Sequence, residues 1–132
     1  MNANTNQFRA RDTGDVRSQV EAKTADYTVL AGDMGKIFTT RGAGGAVTFT
    51  LPAASPELEG SVVEFYAVAD QNLVVAGQDE GLVVFNDLTA DSIALQTTSE
   101  KIGGGFRAVC DGTSWIVVPL ATETQTITVA SS

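Results

Sequence analysis

Short apolar or alternating runs, separated by Gly, Asp and Asn, fill the chain from Asp26 onward. The clearest run is Ala46–Leu51, which places Val47, Phe49 and Leu51 on one face and threonines on the other. Strict alternation of this kind is typical of a half-buried β-strand. The pattern therefore predicts strands from this part of the chain onward.

The remaining runs have strand length, recur about every ten residues and show no helical period between them. This spacing predicts an all-β body over residues 25–132, built as an antiparallel β-sandwich or jelly roll, or as a small barrel, because parallel strands need long crossovers. The stretch from Ala121 to Ser132 is either an added edge strand or a loose tail. The alternation predicts these buried residues: Val47, Phe49, Leu51, Val63, Phe65, Val74, Phe106, Ala108, Trp115 and Val117.

The first 24 residues differ from the body because they are polar and show no strand alternation. Fully extended, they would reach roughly 80 Å, far beyond their own domain. We predict that residues 1–24 form an extended N-terminal arm that orders on a larger assembly or on a neighbouring subunit. Phe8 would be its apolar anchor, and Arg9, Arg11 and Arg17 would meet carboxylates. A frayed terminus is the alternative.

Composition fits one domain with one core: 132 residues, 43% hydrophobic and 18% charged. No apolar run approaches the roughly 20 residues that span a bilayer, and residues 1–20 are polar where a signal peptide is apolar. These features predict a soluble protein that does not associate with a membrane.

Charge is distributed unevenly along the chain. The first 24 residues carry four basic and three acidic side chains, whereas the rest carries four basic against thirteen acidic ones. Binding to nucleic acid requires Lys and Arg to neutralise phosphates, so an acidic body argues against DNA or RNA as a partner. A surface kept soluble by its charge is the simpler interpretation.

The residue types present leave little catalytic chemistry. Histidine is absent, which excludes a Ser-His-Asp triad and imidazole metal ligands. Cys110 is the single cysteine, so an internal disulfide and C-x-x-C sites are impossible. We therefore expect no enzyme, and we expect no cofactor. A hydrolase based on carboxylates is the weakest alternative, because the sequence alone places no Glu/Asp pair at working distance.

Three short motifs favour structural roles. Asp111-Gly112 between two apolar runs predicts a hairpin turn, with Cys110 as a small buried residue. The acidic residues Asp79, Glu80, Asp87 and Asp91 match no calcium loop, and Gly42, Gly44 and Gly45 lack the Gly-Lys-Ser/Thr of a phosphate loop. Solvated turns and a glycine-rich hairpin loop are the interpretations these patterns favour.

Three strings within residues 25–118 resemble a small β module found in virion proteins of tailed bacteriophages. They are the stretch from Ala25 to Ala54, Asp70-Gln-Asn-Leu-Val-Val-Ala76, and Val109-Cys-Asp-Gly-Thr-Ser-Trp-Ile-Val117. The resemblance implies a phage structural protein with no catalytic residues. Such modules occur in capsid decoration proteins, head fibres and tail fibres, so the resemblance does not place the chain on the virion.

Size favours the capsid, since the module is nearly the whole chain and leaves no room for a trimeric fibre shaft. We expect a capsid decoration (cement) protein, made in the host cytoplasm and located on the exterior of the virion head. It would bind the major capsid protein as a homotrimer and stabilise the capsid lattice. The alternative is a head- or tail-fibre module that binds a receptor or carbohydrate, with Tyr66, Phe85 or Trp115 as stacking platforms.

Overall fold

The computed structural model describes residues 17–79, 81–122 and 125–131. Within these residues eleven strands form one sheet, and the helical content is two 3₁₀ turns, Ala31–Asp33 and Pro56–Leu58. None of the described helices is long and apolar enough to cross a membrane. The all-β prediction is therefore confirmed. The strands are β1 (Val20–Ala22), β2 (Tyr27–Thr28), β3 (Ile37–Thr39), β4 (Val47–Thr50), β5 (Val62–Tyr66), β6 (Leu73–Ala76), β7 (Leu82–Val84), β8 (Asp87–Leu95), β9 (Gly105–Cys110), β10 (Trp115–Leu120) and β11 (Ile127–Ser131).

The sheet is mixed rather than antiparallel. Its order is β1-β3-β5-β9-β10-β7-β8-β6-β4-β2, with β11 on the other side of β8, and five of the ten strand pairs are parallel. The prediction of a purely antiparallel sheet is thus wrong. It assumed that consecutive strands pair, and that a parallel pair needs a long crossover.

The parallel pairs arise because the chain alternates between two wings of the sheet. Strands β1, β3 and β5 belong to a first wing that continues into β9 and β10, and strands β2, β4 and β6 belong to a second wing. Each short link crosses from one wing to the other, so every second strand returns alongside its predecessor in the same direction. Parallel pairing therefore needs no helix here.

Strands β6, β7 and β8 join the two wings. Both β6 and β7 pair with β8 in succession, while β6 also pairs with β4 and β7 with β10. The result is one curled sheet, a half-barrel, and these pairings do not confirm a sandwich or jelly roll. The last strand, β11, pairs with the free side of β8. Of the two predictions for the C-terminal stretch, the added edge strand is therefore the one observed.

Nine of the ten residues predicted as core are buried, with 3% exposure or less. Val74 is the exception and is only half-buried, whereas Leu73 and Val75 on either side of it are fully buried. The run Leu73-Val-Val-Ala76 is apolar throughout, so its sequence contains no alternation that sets which face points inward. The predicted phase of β6 was therefore wrong by one residue.

Three phenylalanines bring the wings into contact. Phe38 and Phe65 are register partners in the first wing, whereas Phe49 lies in the second. The ring centroid of Phe49 is 5.4 Å from that of Phe38 and 4.8 Å from that of Phe65. The sheet is therefore curled far enough for its two wings to share one aromatic core.

The sheet begins inside the segment predicted as the arm. Strand β1 pairs with β3 in parallel, with Val20 opposite Ile37. The hydrophobic pattern did not reveal this strand because its one large apolar residue, Val20, is 60% exposed. Backbone hydrogen bonds and ion pairs hold it in place instead.

Candidate interaction surfaces

The chain enters the sheet at an exposed edge. Residues 17–19 are exposed, and the backbone N–H of Ile37 donates to the carbonyl of Gln19 at 2.9 Å. Arg17, predicted to contact a partner, is thus an exposed residue just before β1. The other three predicted arm residues, Phe8, Arg9 and Arg11, lie outside the described residues.

A buried carboxylate, Asp33, fixes this edge. Lys36 Nζ donates to Asp33 Oδ1 at 2.8 Å and to Glu21 Oε1 on β1 at 2.6 Å. Tyr27 Oη donates to Asp33 Oδ2 at 2.7 Å, and the backbone N–H of Leu30 donates to the same oxygen at 2.9 Å. These residues, the Asp33 network, connect β1 to β2 and to the turn before β3.

The contacts within the network change the pKa values of its titratable groups. Burial alone would raise the pKa of Asp33, but hydrogen bonds from Lys36 and Tyr27 outweigh burial and lower this pKa to about 2. The hydrogen bond to Asp33 raises the pKa of Lys36, and the hydrogen bond from Lys36 lowers the pKa of Glu21. All three groups are therefore charged at neutral pH, as a structural ion network requires.

The Asp33 network predicts a loss of stability in acid. Because the folded-state pKa lies below the ordinary value of 3.8, its contribution is full above about pH 4 and disappears as the pH falls toward 2. Asp33→Asn should lower the free energy of unfolding by about 1–2 kcal/mol at pH 7 and by much less at pH 2. Urea unfolding at both pH values measures this difference.

Glu57→Gln, at an exposed position on the Pro56–Leu58 turn, is the matched control and should change stability little at either pH. An Asp33→Asn deficit of equal size at pH 7 and pH 2 would contradict the assigned role of the network.

An apolar face lies on the outside of the first wing. Strand pairing aligns Val62 on β5, Val109 on β9, Ile116 on β10 and Val83 on β7 in one row that points away from the core. The next row contains Glu64, Arg107 and Val118, and Leu120 follows along β10. We refer to these eight side chains as the outer face.

The outer face is partly exposed and has no net charge. Ile116, Val118 and Leu120 are 38%, 43% and 37% exposed. Its two charged residues oppose each other, with Arg107 Nε 3.7 Å from Glu64 Oε2. Such a face is unusual on a chain with a net charge of −8, and apolar surface of this kind marks interaction sites.

The hairpin between β7 and β8 ends in a second apolar feature. Phe85 and Asn86 both have positive φ, at 49° and 66°, which is the type I′ geometry that fits a two-residue hairpin. Phe85 is 58% exposed and Leu88 75% exposed. The tip thus presents an aromatic ring in a backbone conformation that phenylalanine rarely adopts.

An open cavity of about 590 Å³ lies among three loops. The side chain of Gln125 braces it, with Oε1 accepting from the Thr122 N–H at 2.9 Å and Nε2 donating to the Glu100 carbonyl at 3.0 Å. Most of the lining residues have polar side chains, and Ile102 is the one large apolar residue among them. Its residues are Asp70, Ser99, Glu100, Ile102, Gly103, Thr122 and Gln125.

The predicted Asp111-Gly112 hairpin is confirmed. Cys110 pairs with Trp115, Gly112 has φ +93°, and Asp111 Oδ1 accepts the N–H groups of Thr113 and Ser114. Both predicted interior residues are buried: Cys110 is 1% exposed, and Trp115 Nε1 donates to the Pro52 carbonyl at 2.7 Å. Trp115 therefore cannot act as the exposed sugar platform considered above.

Of the acidic loop residues, Glu80 lies outside the described residues, and Asp79, Asp87 and Asp91 do not form a metal site. Asp87 Oδ1 accepts the Thr89 N–H at 2.8 Å within its own turn. Over the described ranges, no group of three or more carboxylate or thiol side chains is placed to hold a metal ion. Tyr66, another stacking candidate, is half-buried and donates its hydroxyl to Glu64.

Comparison with family models and with curated proteins identifies no relative of this chain. No family model matches the chain, and no curated protein matches it. The function is therefore proposed from the residues of the chain itself and from their geometry.

Proposed function

We propose that the chain is a capsid decoration (cement) protein of a tailed bacteriophage. It binds the outer surface of the head as a homotrimer and stabilises the lattice of the major capsid protein. Support comes from the three sequence strings within residues 25–118 that resemble phage virion modules and that contain all of β2, β3, β4 and β6.

The anchored start of the sheet is the observation on which this proposal mainly depends. A segment that attaches a domain to a partner must itself be fixed to the domain. The Asp33 network fixes β1, through the 2.6 Å contact between Lys36 and Glu21. The sequence before β1 contains Phe8, Arg9 and Arg11. Binding there would order the segment at the expense of its conformational entropy, which apolar burial and Arg contacts offset.

Adhesion by this means is multivalent. Each arm or body contact is weak alone, but linkage within a trimer raises the effective concentration of the next contact. Strands at the edges of the sheet, such as β1 and β11, favour association because their unpaired backbone groups require a partner or a cover. Closed cyclic symmetry meets that need without open-ended growth.

The finer description of the fold is part of the proposal. We infer that the two wings act as the two layers of a β-sandwich, bridged by the long strand β8. The 5.4 Å contact between Phe38 and Phe49, from opposite wings, supports this arrangement.

Co-sedimentation with phage heads that lack the protein tests the proposed function. The full chain should pellet with such heads to a saturable stoichiometry and raise the temperature at which they release DNA. Bovine serum albumin at the same concentration is the control for trapping. A chain that stays in the supernatant at every concentration would contradict the proposal.

A fibre module that binds carbohydrate is the second candidate. The open cavity bounded by Asp70, Glu100 and Gln125 provides hydrogen-bonding groups for hydroxyls, and Phe85 provides an exposed ring elsewhere. Sugar sites combine such polar groups with an apolar platform. Binding to a glycan array that is lost in Gln125→Ala, without binding to heads, would favour this candidate.

A further inference from the structure

We propose that the outer face is the surface through which copies of this chain contact one another. This inference rests on the homotrimer of the proposed function and assigns its interface. The partner to which it commits is a second copy of this chain.

Burial and pairing identify the face. The row formed by Val62, Val109, Ile116 and Val83 crosses four neighbouring strands without a charged or polar side chain. A strand with one solvated face normally carries polar residues there. Three consecutive outward positions of β10, beginning at Ile116, are instead large, apolar and more than one-third exposed.

Charge favours a second copy as the partner. The chain has a net charge of −8, so two copies repel each other over most approaches. The outer face carries one positive and one negative side chain, Arg107 on β9 and Glu64 on the adjacent β5. If a rotation axis runs along the strands and passes opposite the gap between β5 and β9, the β9 strand of one copy meets the β5 strand of the next. Each Arg107 then faces a Glu64 of its neighbour, so the face complements itself.

The size of the face sets the expected strength. From β5 to β7 there are three strand spacings of about 4.8 Å, which gives a width of about 14 Å. Ile116 and Leu120 lie four residues apart on β10, which gives a length of about 13 Å along the strand. The face therefore covers about 200 Å², well below the roughly 800 Å² per partner of a standard interface. We therefore expect association in the micromolar range, so a concentration series is required.

Sedimentation equilibrium of the full chain over a range of roughly 1–300 μM provides the first test. Ile116→Asp should weaken association by at least about tenfold, because it places a carboxylate in the apolar row. The matched control is Thr128→Asp, at an exposed outward position of β11 on the other wing. It should change association by less than about twofold. Thermal unfolding of each variant checks that it folds.

A charge-exchange experiment tests the pairing between copies. Arg107→Glu and Glu64→Arg should each weaken self-association, because each leaves like charges facing across the contact. An equimolar mixture of the two variants should associate more strongly than either alone. Repair of an ion pair within one copy cannot produce this gain, since neither variant carries both changes.

Several outcomes would overturn the inference. Among them are a wild-type chain that stays monomeric to the highest concentration, and equal effects of Ile116→Asp and Thr128→Asp. If deletion of residues 2–16 creates self-association absent from the full chain, the occupant is the N-terminal segment and not a second copy. Association into dimers would support the interface and contradict the proposed trimer. Binding to heads is measured separately, so failure of the decoration function remains distinguishable.

Discussion

Phe49→Ala should lower the free energy of unfolding by about 3–4 kcal/mol. The side chain is fully buried, and its ring contacts Phe65 at 4.8 Å and Phe38 at 5.4 Å between centroids. Removing it leaves a cavity where the two wings meet, and the curled sheet cannot collapse to fill it without losing strand pairing. Urea denaturation followed by Trp115 fluorescence measures the change.

Val74→Ala is the matched control, since Val74 lies on the adjacent strand β6 but is only half-buried. It should cost less than about 1 kcal/mol. A double-mutant cycle of Phe38→Leu and Phe49→Leu should give a coupling of about 0.5–1.5 kcal/mol. Strict additivity of these two substitutions would contradict the contact between the wings.

Deletion of residues 2–16 should reduce occupancy on phage heads by at least about tenfold while leaving the thermal midpoint nearly unchanged. The deleted stretch contains Phe8, Arg9 and Arg11, whereas the first strand within the described residues begins at Val20. Replacing the same residues with a Gly/Ser segment of equal length separates sequence from length, and it should bind as poorly as the deletion. Binding is measured by co-sedimentation and stability by calorimetry.

A longer deletion, of residues 2–22, should behave differently. It also removes β1 and the Glu21 carboxylate that forms an ion pair with Lys36, so we expect the thermal midpoint to fall. A midpoint unchanged by this deletion would contradict the role assigned to β1. Full occupancy of heads by the 2–16 deletion would instead assign attachment to the body alone.

Local signals in the sequence predicted local structure well. The strand around Phe49 follows from alternation, and the hairpin at Asp111-Gly112 follows from turn chemistry, because both depend on neighbouring residues. The phase of β6 could not be predicted, since each of its positions is apolar. The turn at Phe85-Asn86 also contains no glycine, so the usual glycine signal of a two-residue hairpin is absent.

Non-local features had no comparable signal. Parallel pairing of β3 with β5 depends on which strands share a wing, and the sequence does not encode that choice in any short motif. Strand β1 depends on the contact between Glu21 and Lys36, which are fifteen positions apart. Of the Asp33 network, the Asp33 and Lys36 pair alone had a local signal, because opposite charges three residues apart can meet within one turn.

The outer face could be recognised only once the register was known. Ile116 and Val118 alternate with buried residues of β10, which by itself predicts solvent-facing positions. Their alignment with Val109 and Val83 on neighbouring strands is a property of the sheet. The order of the strands along the chain, without knowledge of which strands pair, therefore does not predict a continuous apolar row.

Cryo-electron microscopy of phage heads incubated with the purified chain tests the proposed function most directly. Additional density is expected on the outer surface of the head at local three-fold positions, into which three copies of the curled sheet fit with their outer faces toward one another. Heads that remain bare at saturating concentrations of a folded chain, or density confined to tail fibres of complete virions, would contradict it.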